Sequence, residues 1–362
     1  MRIHFAYALP RTYYRPTRVF ERLRRLSRQA GRILGVEPAY RQAGIKVRAR
    51  PLRAPYSITY NLFRFLSERA PTLLYDLDER LCPPVQPDDI VIGHPHPDPQ
   101  TVIQRLFRED VKCRAKLLIF PVHHDVPYGD PINRFTLPLV ERADVVLAIT
   151  GRYWYDTLDG SMFAPWKDKI VRLDMAVDTA DYPLVKKHFN PPGRRGYLHI
   201  GSGHPRKGMG VLDQTMAGLS EFPRASIGPG TNIPNMRHLA SDVHLTPEFV
   251  SALAQDYDFF VCTPLSDPNP TTILEAMAWG FPVACTPQSG YYNMPSIIAL
   301  STTDIEANVK ALRELQHMPE EHLLRLTATN RNLVETHYTW ERFCATVWQA
   351  LEPFLRQGDM GA

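Results

Sequence analysis

Two carboxylates, Asp267 and Glu275, stand eight positions apart where the sequence predicts a loop that runs into a helix. The apolar run 258–263 before them indicates a buried strand, and the Ala/Met-rich helix begins near Thr271 and ends at Gly280. A helix start presents free N–H groups and the positive end of a dipole, which suit an anion. Glu275 lies on the first turn, where it can accept hydrogen bonds from hydroxyl groups of the same ligand. A diphosphate joined to a sugar would satisfy both features.

The loop between the two carboxylates offers few backbone donors. Pro268 and Pro270 carry no N–H, so only Asn269, Thr271 and Thr272 can present amides there. We therefore expect these three residues to contact the anionic part of a ligand.

Glu275 also has a purely structural explanation. Thr272 followed three positions later by Glu275 fits a capping box, in which the threonine caps the helix and the glutamate reaches back to its N–H. Such boxes are common and would account for Glu275 without any ligand. The four residues alone leave both explanations open, and the longer pattern around them favours a ligand.

That longer pattern is a carboxylate, seven residues, a glutamate and then Ala-Met-Ala-x-Gly-x-Pro-Val. It resembles the donor-site signature of the retaining GT-B glycosyltransferases of family 4. Asp267 and Glu275 match the two acidic positions, with Asp267 in place of the usual glutamate. The resemblance implies that Glu275 binds the ribose of a nucleotide sugar and that Asp267 holds a hydroxyl of the transferred sugar. The Pro-rich run 268–272 replaces the family's glycine-rich run.

A second segment agrees with this resemblance. The predicted strand 197–200 runs into Gly201 and Ser202, and the basic pair Arg206-Lys207 follows. In the family, an arginine and a lysine of this turn contact the donor pyrophosphate. Lys207 matches the lysine, whereas Ser202 stands where the arginine is expected, so Arg206 is taken as its substitute. Glycines end many strands, so this segment gains its weight from its place in the order of motifs.

Two further segments lie where the family has its interdomain connections. Residues 172–182 retain the Val177-Asp178 pair of a Pro-Asn-Gly-Val-Asp segment, and residues 337–343 resemble an aromatic-Ser/Thr-Trp-Glu helix start. The resemblance implies an α/β protein of the GT-B class, with two doubly wound Rossmann-like domains that face each other across a cleft. The predicted parts are an acceptor domain over 1–174, a linker over 175–195, a donor domain over 196–335 and a helix over 338–356 that returns to the first domain.

The N-terminal half shows alternating strand and helix patterns, which are typical of an open parallel sheet. The predicted strands are Ile3–Leu9, Ile45–Arg48, Ile90–Gly93, Lys116–Val122, Val145–Ile149 and Ile170–Leu173. The predicted helices are Thr17–Leu34, Ile58–Ala70, Pro99–Glu109, Ile132–Val140 and Arg152–Leu158.

Histidines follow two of these strands and are therefore expected to face the cleft. His123 and His124 follow the fourth predicted strand, and the resemblance implies that His124 lies near the donor sugar. Without that resemblance, a histidine after a strand is more often a loop residue that bonds nearby backbone. His94 and His96 follow the third strand, and imidazoles at these four positions could ligate a metal. They lack a paired ligand motif, so no metal site is predicted.

Composition limits the class of protein. With 362 residues, of which 44% are hydrophobic, the chain is long enough for two cores. No apolar run reaches 18 residues and the first nine residues are too short for a signal-peptide core, so no membrane span or leader is expected. The five cysteines are scattered and mostly within apolar runs, which predicts buried thiols in a reducing compartment rather than disulfides or a zinc site. The expected location is the cytoplasm.

Charge is unevenly placed along the chain. Residues 1–70 hold sixteen Lys/Arg against three Asp/Glu, whereas the remainder is net acidic. Segment 17–34 carries apolar residues on one helical stripe and arginines elsewhere, so it could lie on an anionic membrane or pack its stripe on the sheet. It lacks interleaved surface aromatics and any nucleic-acid motif, so no nucleic-acid partner is expected. The charge suggests an anionic or lipid-linked acceptor and a peripheral position at the inner face of a membrane.

These patterns together predict an enzyme that transfers a sugar from a nucleoside-diphosphate donor, a UDP- or GDP-sugar, to an acceptor hydroxyl. The cations and the helix start would stabilise the charge of the departing diphosphate. The resemblance implies retention at the anomeric carbon, with no required metal or other cofactor. Two alternatives stay open: a non-catalytic nucleotide-sugar-binding or scaffold protein, and a GT-B nucleotide-sugar epimerase-like enzyme.

Overall fold

The computed structural model describes residues 1–9, 54–124 and 130–356, with the backbone alone for residues 130–133. The predicted helix Thr17–Leu34 and strand Ile45–Arg48 lie outside these residues. Within them the strands of the N-terminal half are β1 Ile3–Ala6, β2 Thr72–Tyr75, β3 Ile90–Gly93, β4 Ala115–Pro121, β5 Val145–Ile149 and β6 Ile170–Arg172. The C-terminal half adds β7 Tyr197–Ile200, β8 Arg224–Ile227, β9 Arg237–Ala240, β10 Phe259–Cys262, β11 Val283–Cys285 and β12 Ile297–Ala299.

The helices of the described chain alternate with these strands. In the N-terminal half they are α1 Tyr56–Ser67, α2 Val102–Leu106, α3 Asp130–Arg142 and α4 Gly151–Asp156. In the C-terminal half they are α5 Met209–Ala217, α6 Pro247–Asp256, α7 Thr271–Trp279, α8 Ile305–His317, α9 Glu320–Thr336 and α10 Trp340–Arg356. Short 3₁₀ turns include Pro205–Lys207 and Pro287–Ser289.

The strands form two six-stranded sheets in which every pairing is parallel. Their orders are β2-β1-β3-β4-β5-β6 and β12-β11-β10-β7-β8-β9. Most strands are buried apolar runs, as expected for sheets covered on both faces by helices. The predicted fold class is confirmed: the protein is α/β, with two doubly wound sheets.

Strand β2 is the main difference from the sequence prediction. It consists of four residues directly after Pro71, and a short apolar run of this kind has no periodicity that separates a strand from a helix or a loop. It pairs with β1 at the edge of the sheet, where Ile3 lies opposite Thr72. Strand β1 itself ends at Ala6, three residues earlier than predicted.

Each sheet contains one point where the chain reverses the direction in which it adds strands. In the first sheet this point lies between β1 and β3, and in the second it lies between β7 and β10. The loops that leave the two neighbouring strands diverge there to opposite faces, which opens a crevice at the carboxyl ends of the strands. Ligands of doubly wound proteins bind in such crevices.

One hydrophobic core joins the two sheets, and two further clusters cover their outer faces. The joint core includes Met175 and Tyr182 of the connecting segment and Phe343 of α10. Helix α10 packs on α1, where the rings of Phe65 and Trp348 lie 6.2 Å apart. The two sheets are therefore connected through packed side chains as well as through the chain itself.

A buried ion pair holds the connecting segment on the second sheet. Lys186 Nζ lies 2.7 Å from Asp258 Oδ1, and the two side chains are 2% and 0% exposed. Asp258 also accepts hydrogen bonds from the N–H groups of Asn190 and Gly196, at 2.8 and 2.9 Å. This network satisfies the carboxylate completely, as a buried charge requires.

All five cysteines are free thiols. Cys262, Cys285 and Cys344 are buried as predicted, whereas Cys82 and Cys113 are only half-buried. Across residues 1–9, 54–124 and 130–356, no helix combines the length and apolar character that crossing a membrane would require.

Asp89, which directly precedes β3, is hydrogen-bonded to the start of β1. It is 1% exposed and accepts hydrogen bonds from the Arg2 N–H at 2.7 Å and the Arg2 guanidinium at 2.8 Å, while His4 Nε2 lies 3.1 Å away. Burial alone would raise the pKa of Asp89, but hydrogen bonds from Arg2, the Gln86 N–H and His4 outweigh burial and hold the pKa well below its ordinary value. The ionised carboxylate therefore stabilises the fold.

We expect Asp89→Asn to lower the free energy of unfolding at pH 7 by about 2–3 kcal/mol, less than for a fully buried pair because Arg2 is partly exposed. The depressed pKa means that this stabilisation is present above about pH 4 and is lost as the pH falls below it. Urea unfolding at pH 7, 5 and 3 should show the gap between wild type and variant narrowing at pH 3. Asp88→Asn is the matched control, since the Asp88 side chain is half-exposed and forms an ion pair with the amino-terminal ammonium group. A gap that stays constant across these pH values would contradict the prediction.

Candidate functional site

The crevice of the second sheet lies between the loops that follow β7 and β10, and backbone contacts join these two loops. The N–H groups of Leu265 and Ser266 both donate to the Arg206 carbonyl, at 2.8 and 3.1 Å. Gly208 has a φ of +68°, and a Cβ added to it would lie 1.9 Å from the Thr263 carbonyl oxygen. Only glycine permits this approach, so the close contact between the two loops depends on Gly208.

Three predicted site residues meet at this junction. Lys207 Nζ donates to Asp267 Oδ2, and the Arg206 guanidinium lies 3.9 Å from Asp267 Oδ1. The side chains of Lys207 and Asp267 are 20% and 9% exposed. Arg206 Nε is buried and has no acceptor in the described part of the chain. The cluster carries one net positive charge, which suits an anionic ligand.

The start of α7 lies beside this cluster. The helix begins at Thr271 after Pro270, and no side chain caps it. Thr272 is therefore the second residue of the helix and not its cap, so the capping-box explanation of Glu275 does not hold. The N–H groups of Thr271 and Thr272 lie in the first turn, where the helix itself supplies no acceptors. The helix ends as predicted at Gly280, which has a φ of 94°.

Asn269 has a structural role that differs from the expected one. Its N–H donates to the Ser289 carbonyl at 2.9 Å, so this amide is not available to an anion. Its side-chain Oδ1 accepts hydrogen bonds from the Met175 N–H at 2.8 Å and from the Tyr291 hydroxyl at 3.3 Å. Asn269 thus ties the segment between the sheets to the loop that carries Asp267.

Gly201 and Ser202 lie at the end of β7. The N–H groups of Gly201 and Gly203 donate to the carbonyls of Ile227 and Pro229, at 3.0 and 2.7 Å, which prolongs the pairing with β8. Within the chain that the structure covers, the Ser202 N–H between them has no acceptor, and the residue is half-buried. Ser202 therefore offers one backbone donor at the crevice.

Glu275 is 3% exposed and faces a small polar cavity between the two sheets. Other lining residues are Ser57, Asn61, Asp178, Thr271 and Trp340. The free space among them is about 30 Å³, the volume of one water molecule. This space is too small for a nucleoside in the arrangement that the structure shows.

Of the two adjacent histidines after β4, His123 touches the second sheet. It is 1% exposed, and its Nδ1 lies 2.9 Å from the Ser266 hydroxyl, one residue before Asp267. His124 instead contacts its own half of the chain: its Nε2 lies 3.0 Å from Thr157 Oγ1 and its ring packs edge-on against Trp154. The role implied for His124 stays a prediction, and its neighbour adds a contact that sequence reasoning did not identify.

His199 is a second residue that sequence reasoning did not identify. It is buried on β7, and its Nδ1 lies 3.0 Å from the Val261 carbonyl oxygen. Burial lowers the pKa of His199 to about 4, and the charge of Lys207 acts in the same direction. Its Nε2 has no partner among the residues described. The sequence could have indicated that His199 lies near the crevice, because residues two apart on a strand share a face and His199 stands two positions before Gly201.

The remaining histidines do not form a metal centre in the described chain. His94 follows β3 at the crevice of the first sheet, with Nδ1 2.6 Å from the Pro95 carbonyl oxygen and its ring edge-on to Tyr7. Burial lowers the pKa of His94 to about 4. No group of three or more His, Cys, Asp or Glu side chains in residues 1–9, 54–124 and 130–356 is placed to hold a metal ion.

The turn Pro287–Ser289 and the following Gly290 connect the crevice to the first sheet. Carbonyl groups of this segment accept hydrogen bonds from the N–H groups of Asp267, at 3.1 Å, and of Arg152, at 2.8 Å. Asp267 belongs to the loop after β10, and Arg152 belongs to α4 after β5. Backbone contacts therefore link the candidate site to both sheets.

Solved structures with the same architecture agree with this fold. Sucrose-phosphate synthase of Thermosynechococcus elongatus superposes with a TM-score of 0.61 at 12% identity, covering 98% of this chain and 99% of that chain. A UDP-forming α,α-trehalose-phosphate synthase from Burkholderia xenovorans gives 0.56 at 13% identity, covering 74% of each chain. TarM gives 0.54 at 13% identity over 74% of this chain, which spans only 55% of the TarM chain. Identities this low show the fold alone, which is GT-B.

Comparisons by sequence add nothing to this. No family model matches the chain, and no curated protein sequence matches it.

We expect Asn269→Ala to lower the free energy of unfolding by about 2–4 kcal/mol, because the buried Met175 N–H loses its acceptor, the Tyr291 hydroxyl keeps only the Pro270 carbonyl, and alanine disfavours positive φ. Asn293→Ala is the matched control: Asn293 has a similar φ of 54° but is exposed, so only the backbone term of about 1 kcal/mol applies. Urea unfolding of both variants measures the difference. Equal losses would show that the two hydrogen bonds contribute nothing.

Proposed function

We propose that this protein is a retaining glycosyltransferase of family 4, which moves a sugar from a UDP- or GDP-sugar to an acceptor hydroxyl. The observation that carries the proposal is the meeting of Arg206, Lys207 and Asp267 at the switch point of the second sheet, beside the start of α7. The names of two solved structures with this fold fit the proposal: both are sugar-phosphate synthases, and one is UDP-forming.

The first task of such an enzyme is to stabilise the departing diphosphate, which gains negative charge. Lys207 and Arg206 supply cations, and the Ser202, Thr271 and Thr272 N–H groups supply oriented donors. The ammonium group of Lys207 donates to the Asp267 carboxylate. A bound diphosphate takes over the ammonium group, which frees the Asp267 carboxylate to accept a hydrogen bond from a hydroxyl of the transferred sugar.

Glu275 binds the ribose in this proposal. A carboxylate that accepts from ribose hydroxyls makes charge-assisted hydrogen bonds, each worth about 1.5–3 kcal/mol. The space beside Glu275 is too small for a nucleoside, so in this proposal the two sheets separate to admit it. His124 lies near the donor sugar once the sheets close again.

The finer chemistry follows from the family resemblance. The acceptor hydroxyl attacks from the face that the diphosphate leaves, and the leaving phosphate takes the acceptor proton, so no carboxylate nucleophile, metal or other cofactor is required. The basic balance of residues 1–70 favours an anionic or lipid-linked acceptor and peripheral contact with the inner face of a membrane. Polysaccharide, glycolipid or glycoconjugate synthesis is the expected setting.

We expect Glu275→Gln to abolish the thermal stabilisation that one of UDP, GDP or ADP gives the wild type. Glutamine keeps the size of the side chain and loses the carboxylate that the ribose hydroxyls require. The measurement is the shift in melting temperature with each nucleotide and its sugar conjugates. Glu248→Gln, an exposed glutamate in the first turn of α6, is the matched control and should retain the full shift.

Two results would count against the donor site. No nucleotide stabilises the wild type, or Glu275→Gln changes only the unliganded melting temperature. Binding without sugar transfer to any acceptor would favour the scaffold alternative instead.

We expect Lys207→Met to weaken binding of the stabilising nucleoside diphosphate by about tenfold or more, because a charge-assisted hydrogen bond is lost. Affinity for the corresponding nucleoside, which has no phosphate, should stay the same. Isothermal titration calorimetry measures both constants. Lys310→Met on α8 is the control, because Lys310 is exposed and belongs to neither of the loops that form the crevice. Equal weakening for nucleoside and diphosphate would contradict a phosphate contact.

A further inference from the structure

The carbonyl oxygen of Gln288 accepts two hydrogen bonds that come from different sheets. The Asp267 N–H donates to it at 3.1 Å from the loop after β10. The indole Nε1–H of Trp154 donates to it at 2.9 Å from α4, which follows β5 of the first sheet. Trp154 is therefore joined to the backbone of a proposed donor-site residue through a single oxygen atom.

The carbonyl groups of the next two residues also accept hydrogen bonds, one from each half of the chain. The Ser289 oxygen accepts from the Asn269 N–H at 2.9 Å, and the Gly290 oxygen accepts from the Arg152 N–H at 2.8 Å. Three consecutive carbonyls thus hold the 267–269 loop on one side and the start of α4 on the other. The His123–Ser266 contact at 2.9 Å is a further link across the boundary that the Trp154 and Arg152 bonds cross.

Two glycines allow this approach. Gly151 has a φ of +62°, and a Cβ on it would lie 2.7 Å from Gly290 Cα. Gly290 has a φ of +87°, and a Cβ there would lie 2.7 Å from the Thr150 carbonyl oxygen. A Cβ at either position would clash with backbone of the other half, so a larger residue there would keep the two halves from approaching this closely.

We infer that Trp154 is a positioning residue for sugar transfer, whose indole N–H holds the Gln288 carbonyl, and through it Asp267, in place when the two domains close. This inference rests on the proposed function. When the domains separate, Gln288 keeps the Asp267 N–H and loses Trp154, so the loop is held from one side only. Closure around the donor supplies the second bond and fixes the Asp267 carboxylate beside Lys207. Diphosphate binding needs no such bond, because Arg206, Lys207 and the α7 start all belong to the second sheet's domain.

Trp154→Phe tests this inference, since it removes the N–H and keeps most of the ring. Turnover is measured as release of nucleoside diphosphate from UDP-glucose or GDP-mannose, whichever the wild type binds, in the presence of a sugar phosphate whose hydroxyl accepts the sugar. We expect kcat to fall about fivefold, the scale of one neutral hydrogen bond, while the Kd of the diphosphate changes by less than about twofold. Trp166→Phe is the matched control, because Trp166 packs within the first sheet's core, and it should leave both constants unchanged.

Gly151→Ala is the second variant and blocks the approach of α4 to Gly290. It should lower kcat at least as much as Trp154→Phe, and the double variant should be no worse than Gly151→Ala alone, because both act through the same closure. Small-angle scattering with bound diphosphate should give a larger radius of gyration for Gly151→Ala than for the wild type.

The outcomes distinguish a failure of the proposed function from a failure of the role inferred for Trp154. If the wild type binds a nucleotide sugar but releases no diphosphate, the proposed function fails and this inference fails with it. If the wild type turns over and Trp154→Phe matches it, or loses kcat and diphosphate affinity in proportion, only the inference is overturned. Multiplicative losses in the double variant overturn it as well.

Discussion

The backbone junction between the loops after β7 and β10 is the constraint on which the candidate site depends. The Arg206 carbonyl accepts two N–H groups from the β10 loop, and Gly208 lets the chains approach within a distance that no side chain would permit. Because backbone groups make this junction, it does not depend on hydrogen bonds from the side chains of these residues. The junction thereby places Arg206, Lys207 and Asp267 close enough for their charged groups to meet, with the Arg206 guanidinium 3.9 Å from Asp267.

Two ion pairs of the protein differ in how accessible their charged groups are to a ligand. Lys186 and Asp258 are almost completely buried, and backbone N–H groups satisfy the remaining capacity of the carboxylate, so the pair is permanent. Lys207 and Asp267 are bonded to each other at the mouth of a crevice, where water reaches the ammonium group. A diphosphate with higher charge than one carboxylate can displace Asp267 from Lys207 without leaving an uncompensated charge in a core. The first pair stabilises the fold, whereas the second lies where the proposed diphosphate would bind.

The sequence predicted those parts of the protein that depend on local pattern. Strands β3 and β5 have the predicted bounds, and the stop of α7 at Gly280 follows from a C-terminal glycine. The grouping of Lys207 with Asp267 followed from the order of motifs on neighbouring strands. Strand β2 was missed because four apolar residues carry no periodicity, and the role of Asn269 was missed because it depends on a positive φ in a Pro-rich loop. Contacts across the sheets, such as those of His123 and Trp154, depend on how two domains dock, which no local pattern encodes.

The closed geometry also constrains the order of events in the proposed reaction. The space beside Glu275 is about 30 Å³, too little for a nucleoside, and Gly151 and Gly290 bring the backbones of the two halves into contact. In the proposed reaction the nucleotide sugar therefore enters while the domains are apart, when the Gln288 carbonyl holds Asp267 but not Trp154. Closure then excludes water from the crevice and restores the second hydrogen bond at the same time. The hydrogen bond that positions Asp267, the proposed partner of the sugar hydroxyl, thus forms in the same movement that excludes water able to hydrolyse the donor.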